Sequence, residues 1–467
     1  MKYQTVLLSA LFIFKCSILF GQAPAQGNKT VELKEIDELR AEVQQLRQEI
    51  ADMRASVASE VHREPTPAQA EVETEHAEDR SVQAAETGSS SALASLPGSA
   101  TLNLTFDGYY GFNFNRPVGR VNLIRAYDVY SNSFSINQAT VILERAPDVS
   151  AGRRWGARVD LQYGQATETL QGSASNELRP QVYRPLFQAY GTYVAPIGRG
   201  LNIDFGKFAS SIGLEGNYSK DQINYSRALW FNFLPFYHMG IRTSYPLSDR
   251  VTLNYWMVNG AQSTETVNDF KDQLIGLSLT PRKSLSWTIN YYIGQEHPDV
   301  VPSLNPTSPP TPGAQPGQSI TPVTNPETGK LHIFDTYATW QASPRWTFGG
   351  EADYVVQRAF VHSSPTRDSG GALYARLQLD QRSALGARAE YLSDRGGSFT
   401  GLTQALKETT LTYDFKLATG LIVRPDYRRD FSNQPFFLTQ APGVRKKEQN
   451  TATVGLIWWW GAKEGQW

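Results

Sequence analysis

The chain has 467 residues, a formal net charge of -1 and a hydrophobic fraction of 40%. The near-neutral charge offers no basic face for nucleic acid, and the mean hydropathy of -0.39 excludes a polytopic helical membrane protein. A membrane β-barrel escapes that exclusion, because lipid-facing and lumen-facing residues alternate and the apolar signal averages out.

Residues 1–25 have the layout of a signal peptide. Lys2 supplies positive charge, Val6 to Phe20 is a mostly apolar run broken by Lys15, and Ala23-Pro24-Ala25 offers a small-x-small cleavage site. The run is too short to span a bilayer. The single cysteine, Cys16, lies inside it. Phe14-Lys15 before it are not the small residues a lipid anchor needs. The exported chain is therefore expected to hold no disulfide, metal thiolate or cysteine nucleophile.

Residues 31–58 carry heptads. Ile36, Val43, Ile50 and Val57 fall seven apart, and Leu39, Leu46 and Met53 follow the first three at d. Each g position is glutamate (Glu35, Glu42, Glu49), and each e position five residues on is arginine (Arg40, Arg47, Arg54). Such pairs attract between parallel, in-register helices. A lone amphipathic helix lying on another surface is the plainer reading, but three complementary g/e pairs favour self-association. β-branched a with leucine-type d leans towards a dimer. Residues 59–100, rich in Glu, Ala, Ser and Thr with no apolar period, read as a disordered acidic tether.

From residue 101 to residue 467 the period changes from heptad to two. Leu102, Leu104, Phe106, Tyr110, Phe112 and Phe114 share one face, and Asn103, Thr105, Asp107 and Asn113 the other. Further alternating runs begin near Phe134, Trp155, Arg184, Gly200, Tyr237, Arg250, Asp272, Leu285, Lys330, Arg345, Gly370, Ala384, Leu406, Thr419 and Asn450. Each is near the roughly 9–11 residues a tilted strand needs to cross the hydrocarbon. Short connections such as Leu247-Ser248-Asp249 and Gln381-Arg382-Ser383 alternate with long ones, such as Asn115–Ser133, Ala166–Tyr183, Ala209–Phe236, His297–Gly329 and Phe431–Glu448. Short turns on one side and long loops on the other mark an outer-membrane barrel, whereas a soluble sandwich has no reason to alternate. The expected fold is all-β: a closed transmembrane antiparallel barrel of about sixteen strands, with both termini in the periplasm. Closure leaves no strand edge in lipid, and this size encloses an aqueous lumen.

Taking each polar face as inward predicts that the lumen is lined by Arg158 and Asp160, Arg242, Glu351 and Asp353, Arg376, Arg388 and Glu390, Asp414 and Lys416, then Arg424, Asp426 and Arg428. Two readings stand: a transverse field that orients charged solutes, or salt bridges that brace the wall. Catalysis finds no support, since His238 has no serine–histidine motif beside it. His297, His332 and His362 are isolated, and no spacing suggests a metal or cofactor site.

Gly206-Lys207-Phe208, Asn224-Tyr225-Ser226-Arg227-Ala228-Leu229-Trp230-Phe231 and Pro235-Phe236-Tyr237-His238-Met239-Gly240-Ile241-Arg242 resemble the OmpL-like β-barrel porin family of Gram-negative outer membranes. Asn259-Gly260 and the closing Gly455-Leu456-Ile457-Trp458-Trp459-Trp460-Gly461 fit as well. The resemblance covers roughly Thr101 to Trp467. It implies a porin passing small hydrophilic solutes in the outer-membrane lipid, and a homo-oligomer, with a trimer usual for porins. General porins fold their third outer loop into the lumen. Here the third is Ala209–Phe236, with Glu215, Lys220, Asp221 and Arg227 as its charges. Packing on the rim through Trp230, Phe231 and Phe233 is the alternative for that loop. A structural anchor whose coiled coil binds periplasmic or cell-wall material is the alternative for the whole chain.

Overall fold

The computed structural model describes residues 95–96, 100–170, 177, 180–302 and 320–461. The expected signal peptide, the coiled coil with its seam from Ile36 to Val57, and nearly all of the acidic tether lie outside the described residues.

Sixteen strands form the wall. They are β1 (Ala100–Asn113), β2 (Ser133–Arg145), β3 (Trp155–Tyr163), β4 (Leu186–Ala195), β5 (Leu201–Ala209), β6 (Tyr237–Ser248), β7 (Val251–Val258) and β8 (Asp272–Arg282). The second half comprises β9 (Leu285–Gly294), β10 (Leu331–Gln341), β11 (Trp346–Gln357), β12 (Thr366–Gln378), β13 (Ser383–Arg395), β14 (Gln404–Ala418), β15 (Leu421–Ser432) and β16 (Glu448–Gly461). Each pairs antiparallel with its neighbours in sequence, and β1 pairs with β16 from Asn103↔Gly461 to Asn113↔Thr451. That seam closes the ring, so no spanning strand has a free edge. The sixteen alternating runs of the sequence are these sixteen strands. Several exceed the expected length, β14 reaching 15 residues.

Which face is which follows from exposure. On β14, Leu411 is 65% exposed while its neighbours Thr410 and Thr412 are 1% and 3% exposed. Apolar residues therefore face outward and polar ones inward, the only arrangement that keeps charge out of hydrocarbon. Exposed aromatics gather near the short-turn end, among them Trp155, Trp340, Trp346 and Trp458. Phe134, Tyr163 and Phe431 stand near the other end. These are the two girdles expected where a barrel meets the membrane interfaces.

The polar-inward rule fails towards the long-loop end. Leu331, Ile333, Val355, Leu392 and Leu406 point inward there and are buried with Leu229, Trp230 and Leu234. The reason is tertiary: something apolar fills the barrel at that level. It is the third long loop.

Candidate functional site

The loop between β5 and β6 starts where the backbone N–H of Ser210 donates to the carbonyl of Phe236 at 3.0 Å. Between those residues the chain leaves its own strands and crosses the barrel. Its first contacts are on β10 and β11: Gly213 N–H donates to Asp335 at 3.2 Å, and Leu214 N–H to Glu351 at 3.1 Å. The middle then meets β1 and β3. Ser219 Oγ and Tyr225 Oη donate to the two oxygens of Asp107 at 2.5 and 2.7 Å, and the Tyr218 hydroxyl donates to Asp160. Burial, and then the neighbouring carboxylates, raise both tyrosine hydroxyls well above their ordinary range, so each remains a donor.

The far contacts lie about halfway round the ring. Asn224 donates to Thr412 on β14 at 2.7 Å, Ser226 Oγ to Asp426 on β15 at 2.7 Å, and Leu229 N–H to Glu390 on β13 at 2.9 Å. The loop's aromatic end also packs against the loop between β13 and β14, where Phe233 stacks on Phe399 at 4.5 Å between ring centroids. The lumen and rim alternatives thus describe two parts of one loop.

Arg388 is the hub of this contact. Its side chain is fully buried and pairs with Glu408 at 3.1 Å, Glu390 at 3.3 Å and Glu215 of the loop at 2.9 Å. It also donates to the carbonyls of Ser226 and Arg227 at 2.6 and 3.3 Å. A guanidinium offers five donors in a rigid plane, which suits one residue to holding several acceptors.

The other inward residues expected from sequence fall into local groups. Arg376 and Arg424 share Asp414, at 2.6 and 2.5 Å. Arg428 pairs with Asp430 at 2.8 Å, which also receives Arg125 from the first long loop at 2.8 Å. Arg158 pairs with Asp160 at 2.8 Å, and Arg242 with Asp204 at 2.8 Å. Lys416 is half-buried near the short turns. Glu351 and Asp353 meet Asp335. In the loop, Lys220 and Asp221 pair at 2.7 Å, whereas Arg227 turns onto the loop's own carbonyls and the Tyr127 ring, 4.8 Å from its centroid.

Sequence reasoning put Asp107 on the polar face of its strand without naming it as lumen lining, and missed Arg125, Asp335, Glu408 and Asp430. Strand parity could have found Glu408 and Asp430, each two residues from a predicted or neighbouring inward position. Arg125 sits in a loop and had no period to reveal it. Ser210, 28 residues before His238, also escaped notice: the imidazole Nε2 lies 3.1 Å from its hydroxyl. The Nδ1 faces the Gly260 carbonyl at 3.1 Å, where a hydrolase would place a carboxylate. This pair braces the base of the loop.

Two of the cavities between the loop and the wall reach several hundred Å³. One of about 350 Å³ is bordered by Glu215, Asn217, Gln222, Thr339, Thr347, Tyr374 and Arg376. The other, about 500 Å³ and nearer the short turns, is lined by Lys220, Asp221, Arg376, Arg382, Asp414, Lys416 and Arg424 together with neutral residues. Its charged lining is five cations against two anions.

The family model for putative beta-barrel porin-2, OmpL-like, matches residues 99–458. The chain belongs to this porin family. Its match covers the whole strand wall, from β1 almost to the end of β16. No curated protein matches the chain. Solved structures with a similar fold include the outer membrane channel DcaP of Acinetobacter baumannii, at 8% identity and a TM-score of 0.48, covering 78% of this chain and 97% of that one. Others are an anion-selective porin from Comamonas acidovorans, at 9% identity and 0.47, covering 78% and 99%, and OmpT of Vibrio cholerae, at 10% and 0.47, covering 78% and 98%.

Two glycines of this porin's wall make room for the loop. A Cβ on Gly455 of β16 would stand 2.3 Å from the Tyr225 ring, and one on Gly386 of β13 would stand 2.8 Å from the Ile223 carbonyl. Gly455→Ala is expected to push Tyr225 away from Asp107 and to cost about 1–3 kcal/mol in overpacking. Urea unfolding followed by tryptophan fluorescence measures this; an unaltered midpoint would mean that the ring moves aside freely.

Proposed function

We propose that this outer-membrane barrel is a diffusion porin, passing small hydrophilic solutes down their gradient through a lumen narrowed by residues 210–236. The observation that carries the reading is the loop's crossing to the opposite wall with polar, charge-lined cavities left beside it. A structural base has no use for an internal polar passage, whereas a pore needs a narrow, wet, charged zone to discriminate among solutes. In this reading the inward arginines and carboxylates serve as pore lining, the paired ones chiefly bracing it. The signal peptide delivers the chain to the outer membrane, both termini lie in the periplasm, and the coiled coil joins copies, as a trimer or dimer.

Planar-bilayer recording tests it. Stepwise, ohmic conductance is expected from the purified, folded barrel. A folded but silent barrel would overturn the reading in favour of an anchor.

Charge selectivity should follow the cavity near the short turns. Its excess of cations predicts anion preference, read as the reversal potential in a salt gradient. The double substitution Arg382→Glu with Lys416→Glu reverses the balance there and is expected to move the potential towards cation preference. No movement would place the selective step elsewhere in the lumen.

A further inference from the structure

Asp335 on β10 lies directly across the strand pair from Asp353 on β11, and Glu351 is two residues from Asp353 on the same inward face. Carboxylate oxygens of all three lie within 4.8 Å of one another, and all three residues are buried. Like charges placed directly opposite in a sheet repel, and buried charge is costly without a partner. The neighbouring arginines are committed elsewhere, Arg388 to Glu215, Glu390 and Glu408, and Arg376 to Asp414.

The hydrogen bonds reaching the group leave three of its six carboxylate oxygens unsatisfied. Asp335 receives Asn290 at 2.8 Å and Gly213 N–H at 3.2 Å, and one oxygen of Glu351 receives Leu214 N–H at 3.1 Å. The other Glu351 oxygen and both oxygens of Asp353 receive nothing. An independent side chain faces the same place. The Tyr374 hydroxyl, on a residue 4% exposed, is directed at Glu351 without completing a hydrogen bond to it, and Glu215 is also among its charged neighbours. A buried phenol oxygen and three open carboxylate oxygens make a concentration of hard oxygen donors that no cation side chain among the described residues pairs with.

We propose that Asp335, Glu351 and Asp353 bind a divalent cation of the calcium class on the inner wall, beside the point where the third loop first lands. Calcium takes six to eight oxygen ligands at about 2.3–2.6 Å in flexible geometry, which oxygens within 4.8 Å of one another can meet, whereas magnesium demands a near-ideal octahedron at about 2.0–2.1 Å. Because Gly213 and Leu214 donate to the same carboxylates, the ion ties the loop's start to β10 and β11. The sequence concealed the group, since Asp335 comes from a different strand than the other two.

Terbium, a luminescent stand-in for calcium excited through nearby tyrosines, tests this on the folded full-length chain in detergent. Saturable luminescence displaced by calcium is expected. Asp353→Asn and Glu351→Gln should each weaken binding by roughly 10–100-fold. Both variants remove like-charge repulsion, so they should retain the heat-modifiable mobility of a folded barrel. A wild-type barrel without saturable binding, its carboxyls sharing protons instead, would overturn the proposal. So would binding unaffected by both substitutions. Either result is independent of whether the barrel conducts.

Discussion

Replacing Arg388 with methionine is expected to destabilise the barrel by about 3–5 kcal/mol, the cost of removing one partner from a buried ion pair. Methionine preserves much of the side chain's length and none of its charge. Glu215, Glu390 and Glu408 would then face one another, with Arg428 at 3.7 Å from Glu408 as the ion pair that remains among the described residues. The loss should appear as a lower midpoint in urea unfolding. It should also loosen the third loop, which loses the anchors at Glu215, Ser226 and Arg227. Adding Glu408→Gln should recover part of the loss, because the uncompensated charge is then smaller and the two sites share partners. An unchanged midpoint for Arg388→Met would show that the network contributes nothing net to stability. Arg388→Lys separates charge from shape: a point charge cannot span the same acceptors, so partial loss is expected.

The second large effect concerns conduction. Since Ser210 and Phe236 are already hydrogen-bonded through their backbones, a short glycine–serine linker can replace residues 212–234 without straining β5 or β6. The wall is expected to close as before, because its strand pairs join neighbours in sequence apart from the β1–β16 seam, and none of them uses residues 212–234. Removing the segment that crosses the lumen should raise single-channel conductance several-fold and weaken charge selectivity. If conductance stayed the same with the barrel folded, the loop would not limit the passage. The two experiments reinforce each other, since the first frees the loop from one wall and the second removes it altogether.

Much of the wall was legible in the chain itself. A spanning strand is a local object: the two-residue alternation along β3, from Trp155 to Tyr163, and along β9, from Leu285 to Gly294, records which side faces lipid. The short turns and long loops record which end is which, and counting them yields sixteen strands without any contact being known. Arg158, Asp160, Arg388, Asp414, Arg424 and Arg428 were placed inward on the same ground. Parity assigns a face; it cannot say what meets that face. Tertiary structure alone decided that Arg388 would meet Glu215, 173 residues away in sequence, and that Asp335 would stand opposite Asp353. It also decided that Leu331, Ile333, Leu392 and Leu406 would face a lumen whose other walls are polar. The physical reason is the third loop. Its backbone donors must be satisfied inside the barrel, and its leucine and tryptophan side chains must be buried there. The carboxylates, arginines and apolar patch that answer those needs are scattered over strands halfway round the ring.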